Sequence, residues 1–115
     1  MAGPATSTSG DYLSVGVVVL KATSRGSVSI NSTDTSDAPV VDVNWFGTAA
    51  DQELGVAGLK RARVFANASG IVTEPEQAPG PAVQTDEQIL DWVKTVASPS
   101  HHAVGTCKGV SYQLH

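Results

Sequence analysis

Apolar and polar positions follow a strand-like pattern in the first half of the chain and a helical period in the second. Tyr12 to Leu20 (Tyr-Leu-Ser-Val-Gly-Val-Val-Val-Leu) is rich in β-branched residues, which suit a pleated, buried surface, and predicts a β-strand. Ser24-Arg25-Gly26 predicts a turn. Val28 and Ile30 then alternate with Ser27, Ser29 and Asn31, the period-two signature of a half-exposed strand. Asn31 to Asp37 is a polar loop. Pro39 to Phe46 forms a third extended segment, with the proline at its start, where a missing N–H costs least.

A helix is predicted from Ala49 or Asp51, with Leu54, Ala57, Gly58, Ala62 and Phe65 on its inward face. Gly55 and Gly58 each cost about 1 kcal/mol against alanine in a helix, so close packing against a sheet is expected to explain them. Ala68 to Val83, with its prolines and glycines, reads as a surface connection. A second helix follows. Thr85 caps it, Gln88 completes a capping box, and Asp86 and Glu87 favour the positive end of the helix dipole. Ile89, Trp92, Val93, Val96 and Ala97 line one apolar face, and Ser98-Pro99 ends the helix. Trp45 and Trp92 are assigned to the core. Short strand connections favour antiparallel pairing, so the predicted fold class is α+β: a small antiparallel sheet with helices packed on it.

Composition narrows the function classes. A chain of 115 residues, 41% hydrophobic and 16% charged, has the make-up of one globular domain. Its net charge is −4, and Lys60, Arg61 and Arg63 are the only basic cluster, which disfavours a nucleic-acid surface. The longest apolar run, Val15 to Leu20, is far short of the ~20 residues of a membrane span. Met1 to Gly10 is small and polar, is expected to be disordered, and has neither the basic nor the apolar part of a signal peptide. Asn31-Ser32-Thr33 and Asn67-Ala68-Ser69 fit the N-glycosylation acceptor pattern and hint at a secreted parent protein.

The candidate chemistry gathers near the C-terminus, in Ser98-Pro99-Ser100-His101-His102-Ala103-Val104-Gly105-Thr106-Cys107-Lys108. A histidine beyond a helix end is commonly a surface residue or a dipole partner. Here Gly105 permits close backbone approach, and an imidazole titrating near neutrality both accepts and returns a proton. A metal site built from His101, His102, Cys107 and His115 has suitable atoms, but adjacent histidines do not readily face one ion and the spacing matches no established pattern. No metal is therefore expected. A Cys107 nucleophile activated by His102 needs an orienting third group that spacing cannot supply, and a lone cysteine is more commonly a small buried hydrophobe. Arg25 reads as a turn cation rather than a substrate clamp. No G-x-G-x-x-G or G-x-x-x-x-G-K-[ST] phosphate cradle occurs in the sequence.

Several blocks in order resemble a known family. Leu20-Lys21-Ala22-Thr23-Ser24-Arg25-Gly26-Ser27-Val28 is similar to an L-x-P-x-S-R-G-x-V strand–turn–strand, with Ala22 in place of the proline. Ala38 to Phe46 resembles a P-x-I-D-x-x-Y strand. Asp51 and Thr85-Asp86-Glu87 resemble the entries to the two following helices, and His102 to Lys108 resembles H-x-x-G-T-C-x-M-G. Together, from about Asp11 to Lys108, they resemble the C-terminal region of glucose–methanol–choline (GMC) oxidoreductases, flavin-dependent alcohol oxidases and dehydrogenases. The resemblance implies a substrate-binding domain within a larger FAD-dependent fold and an alcohol as substrate. It implies that His102 takes the alcohol's hydroxyl proton while a hydride passes to the flavin. It places His101, Val104, Gly105 and Thr106 near substrate or flavin.

The departures shape the expectation. The family's Gly-rich FAD fingerprint is not in these residues, Gly109 to His115 replaces the expected Met-Gly, and His115 is not the counterpart of the family's second catalytic residue. The expected organisation is a disordered segment over 1–10, the family region over 11–108 and a non-family tail over 109–115. Val110-Ser111 is a translation of GTAAGT, a splice-donor sequence, so the tail is expected to be intron read-through and Met1 an internal start. No ordinary side chain accepts a hydride, so the chain alone is expected to be inactive. The competing expectation is a non-catalytic α+β binding or interaction module descended from the same family. Oligomeric state and localisation are left open by the sequence.

Overall fold

The hairpin comes first in the chain. In this computed structural model, which describes residues 10–102 and 105, β1 (Ser27–Ser29) pairs antiparallel with β2 (Val40–Asp42). The register sets Ser27 opposite Asp42, Val28 opposite Val41 and Ser29 opposite Val40. Gly26 is required at the start of β1, because a Cβ there would collide with the Asp42 carbonyl oxygen of the facing strand. The intervening loop ties itself together. Asp34 Oδ1 accepts from the Ser36 amide and hydroxyl (2.9 and 2.8 Å), and the Ser32 hydroxyl donates to Asp37 (2.6 Å).

Helix α1 (Ala49–Ala68) starts where the sequence places it, with Thr48 as N-cap accepting from the Asp51 amide. Helix α2 (Asp86–Val96) carries the predicted capping box in full: Thr85 accepts from the Gln88 amide, and Gln88 Oε1 accepts from the Thr85 amide at 3.0 Å. Its apolar stripe is as predicted. Ile89 is fully buried, and Trp92, Val93, Val96 and Ala97 are partly buried.

Other expectations need correction. Tyr12 to Leu20 is not a strand; the β-branched composition favours extended backbone, but a ladder needs a facing edge, and the only sheet among the described residues is β1–β2. The sheet therefore has two strands rather than three. Nor does the sheet carry the helices. α1 packs on α2, and α1 reaches the hairpin through the irregular segment at Thr23–Ser24 and the turn at Asn44–Phe46.

The inward face of α1 also differs from the prediction. Leu54 and Phe65 are 49% and 62% exposed, whereas Asp51 and Gly55 are buried. The reason is a close approach at Gly55, where a Cβ would lie 2.8 Å from the Phe46 ring and 3.4 Å from Val93 Cγ1. Small residues do mark close contacts, as expected, but Gly55 meets Phe46 and α2, and a Cβ at Gly58 would lie 2.7 Å from Val17 Cγ1. Trp92 is half-buried, and Trp45, assigned to the core from its size, is 43% exposed on the turn after β2.

Candidate functional site

The histidine pair follows α2 directly. The Ala97 amide donates to the Val93 carbonyl at 2.9 Å and closes the helix, after which ψ of 136° at Ala97 sends the chain out towards Pro99. His101 then takes a φ of 60°, a left-handed conformation uncommon outside glycine, and turns the chain again. Gly105 has a φ of 104°, where a side chain would be strained, so glycine has a reason to stand in this element.

His101, His102 and Gly105 are all exposed, and neither imidazole forms a hydrogen bond among the described residues. The pair is held open to solvent at one end of the helix layer. Val104, Thr106 and Cys107 lie outside the described residues, as do His115 and the 109–115 tail. Among the described residues no group of three or more His, Cys, Asp or Glu side chains is placed to hold a metal ion.

The most organised polar site lies elsewhere, where sequence spacing offers little sign of it. Asp51, only 2% exposed, turns its carboxylate onto Thr23 and Ser24 in the segment before β1. It accepts from the Thr23 amide at 2.8 Å, the Ser24 amide at 2.7 Å, the Thr23 hydroxyl at 2.9 Å and the Ser24 hydroxyl. Donation by the Ser24 hydroxyl, followed by the Thr23 and Ser24 amides, holds this carboxyl well below the usual carboxylate range. The Thr48-x-x-Asp51 spacing signals a helix cap, yet the acidic side chain serves a segment 27 residues away, which spacing alone does not announce.

An organised turn holds Trp45. Asn44 and Phe46 on either side have φ of 45° and 56°. Asn44 Nδ2 donates to the Arg25 carbonyl at 2.8 Å, and Gln52 Nε2 donates to the Phe46 carbonyl at 2.8 Å. For a bulky residue such as Phe46 a positive φ is a true outlier, sustained because these bonds and the seat on Gly55 fix it. Residues 24–26 form no turn, so that expectation is corrected: Arg25 stands in the irregular segment leading into β1, donating to the Ala22 and Ser24 carbonyls at 3.1 and 2.9 Å.

The basic cluster on α1 is largely engaged. Lys60 pairs with Asp86 at 2.6 Å. Arg63 grips Glu76 through Nε and Nη2, with Nη2 also donating to the Val83 carbonyl at 2.8 Å, and so pins the connection between the helices. An open groove between α1 and α2 is lined by Glu53, Lys60, Asp86 and Glu87 together with Val56 and Leu90. Three carboxylates against one ammonium make it a poor seat for a diphosphate. No helix among the described residues is long and apolar enough to cross a membrane.

The fold and the site thus define a class: a small α+β unit with a histidine-bearing turn closing its second helix, inside a motif order that matches across most of the chain. Residues 22–110 match the GMC oxidoreductase family profile, and the chain belongs to that family. It is 40% identical over 101 residues to versicolorin B synthase of Aspergillus parasiticus, covering 84% of this chain and 16% of that protein. It is 42% identical over 102 residues to a glucose-methanol-choline family oxidoreductase of Annulohypoxylon moriforme, covering 86% and 17%. It is also 40% identical over 100 residues to patulin synthase of Penicillium expansum, again covering 84% and 16%. The chain therefore spans about one-sixth of the length of these relatives, aligned as a C-terminal portion. No solved structure matches it significantly.

Proposed function

We propose that this chain, over residues 11–108, supplies much of the substrate domain of an FAD-dependent oxidoreductase acting on CH–OH groups, with His102 as the base that accepts the alcohol's proton. His101, Val104, Gly105 and Thr106 stand beside substrate or flavin in this reading. The observation that carries it is the ordered family match across residues 22–110, which spans the H-x-x-G-T-C element beginning at His102.

The residues present do not fit FAD by themselves. The described part of the histidine turn is exposed, and the groove between the helices is lined by carboxylates that would repel a diphosphate. The cofactor's seat is accordingly not assigned to residues 11–108, and the isolated chain is expected to be inactive. Its own share of the chemistry is proton transfer. The His102 imidazole removes the hydroxyl proton, an assistance typically worth about 10²–10⁴ in rate.

The test has two arms. Mixed with FAD, the chain alone stays colourless after gel filtration and shows no alcohol oxidation. Joined or co-expressed with the remainder of a GMC oxidoreductase, it restores flavin-linked alcohol oxidation. In that assembly His102→Ala lowers kcat by about 10²–10⁴ while leaving flavin absorbance unchanged. An assembly that binds flavin but keeps its full kcat after the substitution overturns the role given to His102. The competing reading, a non-catalytic interaction module, is favoured by the open setting of His101 and His102, which lack an orienting partner among the described residues. Failure of every flavin-binding assembly to oxidise alcohols selects that reading.

A further inference from the structure

The loop between the two strands carries a feature that the catalytic reading does not use. Asn31, Ser32 and Thr33 are all exposed, in the sequence order that an N-linked glycan acceptor requires. The loop's shape is set by other groups. The Ser32 hydroxyl donates to Asp37 at 2.6 Å and accepts from the Asp34 amide at 3.0 Å, while Asp34 ties down Ser36. The Asn31 amide and the Thr33 hydroxyl, the two groups that an oligosaccharyl transferase must engage together, form no hydrogen bond among the described residues.

The second sequon is built differently. Asn67 stands in the last turn of α1, and Ser69 donates its hydroxyl to the Ala66 carbonyl at 2.6 Å. Positions i and i+2 of a helix lie about 200° apart around its axis, so amide and hydroxyl cannot face one enzyme pocket there.

We propose that Asn31 is an acceptor for an N-linked glycan when the chain passes through a secretory pathway, and that it is preferred over Asn67. In the transfer, the Asn31 amide nitrogen forms a bond to the anomeric carbon of a lipid-linked oligosaccharide. The carbon–oxygen bond to the lipid diphosphate breaks, and the diphosphate leaves with the bonding pair as the amide gives up one proton. The glycan marks the residues just after β1 as a solvent-facing surface of this chain. The proposal is independent of the role of His102.

The test is expression of the whole chain behind a secretion leader in yeast, joined to a reporter domain with a sequon of its own. Enzymatic deglycosylation in ¹⁸O-water followed by peptide mass spectrometry reads each asparagine separately. Labelled aspartate at position 31 is expected, and the corresponding gel-mobility step disappears in Asn31→Gln and in Thr33→Ala but persists in Ser32→Ala. Occupancy of Asn31 upholds its role as acceptor, and lower occupancy at Asn67 upholds the preference. A glycosylated reporter beside an unlabelled Asn31, or a glycan on Asn67 in its place, overturns the proposal.

Discussion

Single residues join parts of this protein that are distant in sequence. The carboxylate of Asp51 collects donors from Thr23 and Ser24 and so fixes the segment before β1 to the start of α1. Its proton affinity is lowered by folding, so it contributes stability above the ordinary aspartate pKa of about 3.9, and that contribution is lost as pH falls through the lower, folded value. Acidification from pH 5 to pH 2 is therefore expected to weaken amide protection at Thr23 and Ser24 in hydrogen exchange. Asp51→Asn lowers that protection at neutral pH and removes most of its acid dependence; equal protection in both proteins at pH 5 would refute the assignment. Gly26 is the second such residue. A side chain there meets the Asp42 carbonyl, so Gly26→Ala is expected to abolish the cross-strand Val28–Val41 contacts seen by nuclear Overhauser effects.

Among the elements, α2 has the more self-sufficient sequence. Its capping box and single apolar stripe were legible because both depend on residues within a few positions of one another. Thr85→Ala removes an N-cap worth about 0.5–2 kcal/mol, and hydrogen exchange in the first turn of α2 should speed up correspondingly. The length and start of α1 were equally legible, but its orientation was not. Periodicity pointed to Leu54 and Phe65, whereas the helix turns Gly55 inward because Phe46, held at positive φ, occupies the space a side chain would need. Alanine at position 55 gains helix propensity of about 1 kcal/mol and incurs an overpacking cost of about 1–3 kcal/mol. Gly55→Ala is thus expected to loosen the α1–α2 contact, read as reduced protection across Ile89–Val93, despite being a better helix former.

At the scale of the molecule, Ile89 is the one fully buried apolar side chain among the described residues, while Tyr12, Leu13, Val17, Val18, Ile30 and Phe65 are well exposed. The Cα radius of gyration is 18.6 Å, against about 13 Å for a compact domain of 100 residues. Apolar burial of this extent leaves only a narrow margin over the conformational entropy of ordering the chain. Heated alone, the chain should lose helicity over a broad range and bind a hydrophobic dye at low temperature. A sharp transition with the enthalpy of about 60–80 kcal/mol typical of a 100-residue domain would contradict that. The surface is suited to being covered, in keeping with a chain that spans about one-sixth of its relatives' length.

What the sequence determined by itself was local or ordered along the chain. The two helices, the capping box of α2, the polar loop and the family's motif order all rest on neighbouring residues. The tertiary structure decided what depends on distant partners. Tyr12 to Leu20 has a strand's composition without a facing edge, Trp45 has a core residue's size without a core around it, and Asp51 looks like a capping residue but binds a remote segment. In each case the side chain or backbone declares what it needs, and only the arrangement of the other elements in space decides whether the need is met.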